Sequence, residues 1–333
     1  MTAVYAILIF GLLIFIHEFG HFTAAKSFNI LVHEFSIGMG PAIFKKKKGE
    51  TQYSLRAFPI GGFVKLEGED GSSDSPRAFC NAKAWKRIIV LVAGAAMNIL
   101  LGFIIYIFIF SFASGIATPV VKSVSENSPA AEAGIMPGDR IVRVGGSKVN
   151  IYSDISLDLY LNGGNPIDIT VSRGGEIKTF NITPKNDDGR YILGFKPELE
   201  KPAPGIVLHS AFYNTIFIVK AVYVSLKELI FGRVPVNEMS GPVGIVGEIS
   251  KAAKYGILDV LSLAALIAVN LGVMNMLPFP ALDGGRVIFV LIEILRGGKQ
   301  LKPEVEGYVH MIGFMLLIAL MLFITYSDIT KLF

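Results

Sequence analysis

The sequence predicts a polytopic α-helical membrane protein carrying a β-hairpin loop at the membrane and one small α+β domain outside it. Three observations predict this class. Of 333 residues, 52% are hydrophobic and only 17% charged, where soluble globular proteins carry about 25% charged residues. The mean hydropathy is +0.55. Four apolar stretches come close to the roughly 20 residues that a membrane-spanning helix needs. The net charge of +4 gives no argument for a nucleic-acid partner, and membrane lipid is the expected surrounding. The single cysteine, Cys80, excludes an internal disulfide framework and a cysteine-based zinc knuckle, so any metal must be held by His, Asp or Glu.

The four stretches run from about Val4 to Ala25, Ile88 to Ala113, Val260 to Leu282 and Val309 to Tyr326. The first has no basic leader region and is interrupted by His17, Glu18 and His21, so it reads as a retained span rather than a signal peptide. Basic residues set the orientation. Lys26, Lys45 to Lys48, Arg56, Lys65, Arg77, Lys83, Lys86 and Arg87 follow the first span, and Arg286, Arg296, Lys299 and Lys302 follow the third. Both segments are therefore expected in the cytoplasm, with the N-terminus and the region from Thr118 to Pro204 outside. Residues 211–232 mix Phe212, Ile216, Val219 and Val222 with Asn214, Lys220, Lys227 and Glu228, which suits an amphipathic helix on the membrane surface. A fifth span there is the alternative, and it would invert everything after it.

Between the first two spans, Tyr53 to Leu66 reads as a β-hairpin-like loop around Pro59, Ile60, Gly61 and Gly62. It is either a plain cytoplasmic hairpin or an edge that pairs with an extended substrate. The outside region reads as a mixed domain. Strands are expected at Pro119–Val124, Asp139–Val144, Ile167–Ser172 and Ile177–Ile182, with a helix from about Ser153 to Leu161. A short helix capped by Ser128, with Pro129 in its first turn, stops at Gly134. The division expected is 1–113 for the first membrane part, 118–200 for the outside domain and 205–333 for the second membrane part.

His17-Glu-Phe-Gly-His21 is an HExxH sequence inside the first span. Residues four apart share one helix face, so both imidazoles can reach one zinc ion, and Glu18 is placed to take a proton from water. Ionisable groups in a spanning helix are costly unless paired or hydrated, which marks them as functional rather than as packing. A catalytic zinc needs a third protein ligand. Asp283 is the only acid between Asp259 and Glu293, and it follows Pro278 and Pro280, which break helical hydrogen bonding at membrane depth. A plain capping residue is the competing reading of Asp283.

HEFGH in the first span and Asn275-Met-Leu-Pro-Phe-Pro-Ala-Leu-Asp-Gly-Gly285 in the third resemble the two signature motifs of the site-2 protease family of intramembrane zinc metalloproteases. The outside region, with Ser-Pro-Ala-Ala-Glu-Ala-Gly-Ile-Met-Pro-Gly-Asp-Arg-Ile, resembles a circularly permuted PDZ domain. Asn237-Glu-Met-Ser-Gly-Pro-Val-Gly-Ile245 extends the likeness, which is greatest to the bacterial regulator-of-sigma-E proteases in a single-PDZ form. The resemblance implies one zinc per chain on His17, His21 and Asp283, with Glu18 as base. It implies substrate contacts at Asn270 and Asn275, and a membrane-associated β-loop at Gly61 and Gly62. Leu193, Gly194 and Phe195 match the PDZ peptide-binding loop. It further implies a bacterial inner-membrane location, with single-pass membrane proteins, already trimmed by another protease, as substrates. One departure is visible: the second span reads Ala93-Gly-Ala-Ala-Met-Asn98 where the family often has Gly-Pro, leaving Gly94 and Asn98 for close helix packing and one interhelical hydrogen bond. Two other functions fit parts of the sequence, a zinc hydrolase of small amphiphiles and a non-catalytic membrane-anchored PDZ scaffold.

Overall fold

The computed structural model describes residues 2–69, 71–233, 235 and 239–331. In chain order the elements are α1 (Thr2–Ser27), β1 (Val32–Lys48), β2 (Thr51–Leu66), α2 (Ala84–Ser111), β3 (Ile116–Val124), α3 (Pro129–Glu132), β4 (Arg140–Val144) and β5 (Ser147–Lys148). There follow α4 (Tyr152–Asn162), β6 (Ile167–Arg173), β7 (Glu176–Ile182), β8 (Lys185–Asp187), β9 (Arg190–Ile192) and β10 (Phe195–Glu200). The chain ends in α5 (Pro204–Ile230), α6 (Pro242–Tyr255), α7 (Ile257–Asn275), α8 (Asp283–Leu295) and α9 (Pro303–Thr330). Two compact units result, Met1–Ile105 with Val222–Phe333, and Tyr106–Ala221, and both boundaries fall inside helices, α2 and α5.

Among the described residues, five helices are long and apolar enough to cross a membrane: α1, α2, α5, α7 and α9. α5 meets this length and composition criterion too, where the sequence reading preferred an amphipathic surface helix at residues 211–232. It begins at Pro204, before the expected 211, and its buried residues Val207, Ala211, Thr215 and Ile218 recur at helical spacing along one face. The third span also differs from expectation. α7 ends at Asn275 and the chain is not helical again until Asp283, because Pro278 and Pro280 have no N–H to continue the ladder. Asp283 therefore opens the next helix instead of closing the span.

In the first unit, β1 and β2 form one folded sheet larger than the hairpin expected at Tyr53–Leu66. Phe35 pairs with both Tyr53 and Val64, and Ser36 with both Ser54 and Phe63, while Lys45–Lys48 pair with Ser54–Thr51. β1 bends at Gly38 and Gly40, whose φ values of 84° and 83° suit glycine alone. This sheet shares an apolar core with the ends of α1 and α2: Ala25, Val32, Phe35, Val64, Leu66 and Val90 are all buried. A second cluster joins α1, α6 and α7 through Leu13, Ile249, Val260 and Ala268. α6 lacks a side-chain cap of its own, and Asp328 of α9 accepts from Gly244 N (2.8 Å) in its first turn. Of the motif at 237–245, Asn237 and Glu238 lie outside the described residues.

The second unit is a sheet in the order β10-β3-β4-β6-β7, with β5 paired to β4, over the helix α4. Ile141, Val144, Ile155, Leu159, Ile169 and Val171 fill its core. Ser128 caps α3 by accepting from Ala131 N, and Gly134 ends it with φ 85°. Asp139 is wholly buried, and Arg173 grips both its oxygens at 2.7 Å. That guanidinium holds the Asp139 carboxyl below its ordinary range.

Candidate metal centre and active site

α1 carries His17, Glu18 and His21 on one face, as its period requires. The imidazole Nε2 atoms of His17 and His21 lie 3.1 Å apart. Asp283 Oδ2 lies 3.1 Å from the first and 3.4 Å from the second. The cluster is largely shielded: both His side chains are 12% exposed and Asp283 19%.

Hydrogen bonding fixes which atoms face one another. His21 Nδ1 donates to the Val90 carbonyl of α2 (2.8 Å), since a carbonyl can only accept, and this leaves the Nε2 lone pair of the neutral ring pointing at the cluster. Among the described residues, Asp283 Oδ2 is buried with no hydrogen-bond partner. An orphaned carboxylate oxygen beside imidazole nitrogens is repulsive unless a cation or proton lies between them. A tetrahedral ion with bonds of about 2.0–2.1 Å would space its ligand atoms by about 3.3 Å, and the three separations here are 3.1, 3.1 and 3.4 Å. The donor set therefore fits zinc. Among the described residues it is the one group of three or more His, Cys, Asp or Glu side chains drawn this close.

The wall behind the histidines is backbone. A Cβ on Gly94 of α2 would come within 2.4 Å of His21 Nε2 and 2.8 Å of His17 Cε1, and one on Gly20 within 2.4 Å of the Ala93 carbonyl. Glycines at both places let α1 and α2 touch. Asn98, fully buried, and Asn275 each bring an amide to 3.4 Å from His17 Nδ1. The interhelical hydrogen bond expected of Asn98 thus ends on a cluster histidine, a detail no spacing in the second span reveals. Asn275 lies beside the cluster; Asn270 is exposed on α7.

A cavity of about 210 Å³ opens on the cluster, lined by His17, Glu18, His21 and Asp283 on one side and by Phe63, Val64 and Leu66 of β2 on the other. Gly62 brings β2 against Glu18: a Cβ there would be 3.2 Å from Glu18 Cγ. Among the described residues, Gly62–Leu66 has a strand partner on one side only. The site therefore sets the Glu18 carboxylate and a metal-type donor set beside a strand edge that is unpaired among the described residues. In the second unit, Leu193 is core, Gly194 turns at φ 84°, and Phe195 opens β10. The Leu193 and Gly194 carbonyls accept from Ala130 N and Ser125 N.

A helical HExxH with an aspartate from a distant segment drawn up to its two histidines is the donor arrangement of a zinc metalloprotease. The sequence pattern of peptidase family M50 matches residues 5–320. A provisionally named zinc metalloprotease of Clostridium acetobutylicum is 40% identical over 98% of this chain and 96% of its own length. The regulator of sigma-W protease RasP of Bacillus subtilis is 30% identical over 100% and 99%, and the zinc metalloprotease RasP of Geobacillus kaustophilus 29% over 98% and 97%. The chain belongs to peptidase family M50, the site-2 proteases, and is a multi-pass membrane zinc metalloprotease.

Proposed function

We propose that the protein cleaves transmembrane segments of single-pass membrane proteins at a zinc held by His17, His21 and Asp283. The observation that carries this reading is the cavity shared by Glu18, the three-residue cluster and the unpaired edge of β2. A small-molecule hydrolase has no use for that edge. A spanning helix hides its carbonyls in its own hydrogen bonds, so it must be opened before it can be cut. Adding the opened segment as a strand beside Gly62–Leu66 replaces the lost bonds.

Zinc, when bound, supplies a Lewis acid for the scissile carbonyl and makes water nucleophilic near neutral pH. Glu18 takes the proton from the attacking water and returns it to the leaving amine. Asn275 is within reach to donate to the substrate carbonyl as charge develops on it, and Asn270 serves further along the same segment. His21 is kept in the ligating tautomer by Val90 O.

With α5 lying along the membrane surface, the basic segments after α1 and α7 both face the cytoplasm of a bacterial cell, with the active site in the cytoplasmic half of the membrane. In this reading, residues 118–200 are a PDZ domain outside, which restricts entry to chains already shortened by another protease, Leu193 to Phe195 forming its peptide loop. The name of the Bacillus relative, regulator of sigma-W protease, suits a substrate such as a membrane-anchored anti-sigma factor; signal-peptide remnants share the same chemistry. Purified protein in detergent with zinc and a single-pass model substrate tests the reading. Cuts mapped by mass spectrometry should fall within the spanning segment and vanish in Glu18→Gln. Cuts confined to soluble flanks, or turnover of small amphiphiles alone, would refute it.

A further inference from the structure

Asp283 opens α8 directly after a turn in an unusual backbone state. Ala281 has φ 76°, in the left-handed region that a residue with a Cβ adopts only when its surroundings impose it. The surroundings come from α9. Ala281 N donates to His310 Nδ1 at 3.0 Å, across 29 positions of sequence. One turn further along α9, Gly313 lies against Pro280, where a Cβ would come within 2.4 Å of the proline Cβ and 2.6 Å of its carbonyl oxygen. α9 thus meets this turn through one polar bond and one backbone-close contact.

The bond also fixes the imidazole. An amide N–H can only donate, so His310 Nδ1 keeps its lone pair and the neutral ring carries its hydrogen on Nε2. That nitrogen is buried, with Glu306 Oε1 3.7 Å away one turn earlier. Phe289 of α8 lies edge-on to the ring, 5.3 Å between centroids. The ring is held on both sides, with one acceptor aimed at one backbone amide.

We propose that His310 is a positioning residue for the reaction. Its hydrogen bond to Ala281 N pins the left-handed turn and thereby sets Asp283 Oδ2 opposite the His17 and His21 nitrogens. It touches neither substrate nor metal. The proposal rests on the reading of Asp283 as a zinc ligand.

The test uses full-length protein in detergent, with zinc affinity measured by chelator competition alongside kcat and KM on a model substrate. Asparagine carries Oδ1 close to where histidine carries Nδ1, whereas leucine has no acceptor. His310→Leu should bind zinc about 10- to 100-fold more weakly, the usual loss when a group supporting a ligand is removed, with kcat falling more than KM rises. His310→Asn should recover most of both. Ala281→Gly removes the need to impose the turn, so His310→Leu should cost less in that background than in the parent. Parental zinc affinity in His310→Leu would overturn the proposal, and so would equal losses in His310→Asn and His310→Leu, or additivity with Ala281→Gly. If the Leu variant fails to fold, His310→Gln replaces it; its amide reaches past the Nδ1 position, so retention of zinc there would also overturn the proposal. Asp283→Ala separates the two failures. Zinc retained in that variant defeats the ligand reading, while zinc lost there but kept in His310→Leu defeats only the role of His310.

Discussion

The two halves of the donor cluster are built by opposite means. His17 and His21 stand four apart on an unbroken helix, so local geometry alone sets their spacing. Asp283 follows the non-helical segment 276–282, so helical period does not fix where its carboxylate lands. Its position comes from packing. A Cβ on Gly284 would meet the Leu277 carbonyl at 2.3 Å, and one on Gly285 the Phe279 carbonyl at 2.3 Å, so the first turn of α8 is folded back onto the segment before it. Farther along, Glu293 pairs with Arg87 of α2, both largely buried. The histidine half is robust because helical period alone sets it; the aspartate half depends also on contacts made far away in the chain.

The largest effects should come from the donors themselves. Asp283→Ala should lose zinc and cleavage together, as should His17→Ala, whereas Asp259→Ala keeps both; metal analysis of the purified variants decides this. Glu18→Gln should keep zinc and lose at least about 100-fold in kcat, the contribution expected of a general base. A folded, metal-free Glu18→Gln protein would break the assignment.

Next come the remote supports of the aspartate half. Glu293→Gln strands the Arg87 charge and should lower stability by about 3–5 kcal/mol, the usual result of breaking a buried pair from one side. It should also weaken zinc binding, although position 293 lies ten residues beyond Asp283. Unchanged zinc affinity at reduced stability would mean that α8 holds its first turn without this tether.

Smaller differences are expected between two glycines. Gly284→Ala presses on backbone that cannot yield, and should cost about 1–3 kcal/mol with a loss of zinc. Gly94→Ala presses on imidazoles that can rotate, and should shift zinc affinity with less effect on unfolding. The reverse ranking in thermal unfolding would erase the contrast between the halves.

The smallest effect concerns the sheet across the cavity from the histidines. Arg77 and Lys26 hold the exposed Glu50 carboxyl down to about 2 from its ordinary 4.5. A depressed carboxyl stabilises the fold fully above about 4.5 and loses that contribution as pH falls towards 2. Glu50→Gln should therefore flatten stability against pH in that acid window and leave zinc binding at neutral pH untouched. A change in neutral-pH zinc affinity would show that the histidine half, too, depends on a distant contact.

The same contrast explains what could be read from the sequence. The spans α1, α2, α7 and α9 follow from apolar length, and HExxH from helical period. In the second unit, β4, β6, β7 and α4 fall within a residue or two of their expected limits, because each carries its own pattern and turn glycines. β1 escaped notice as a strand, since Lys45–Lys48 read as a topology anchor and its pairing partners lie on two separate arms of β2. Gly94 read as a packing residue, but only the fold shows that it packs on imidazoles. His310 sits in a helix with no motif of its own, so its bond to Ala281 had no sequence signal at all.

The unpaired edge of β2 beside the cluster also selects by main chain rather than by side chain. It offers N–H and C=O groups at the spacing of a strand, which any extended segment matches and an intact helix does not. Residues that let a helix come apart, such as glycine and serine, should therefore mark the bond that is cut more than any particular side chain does.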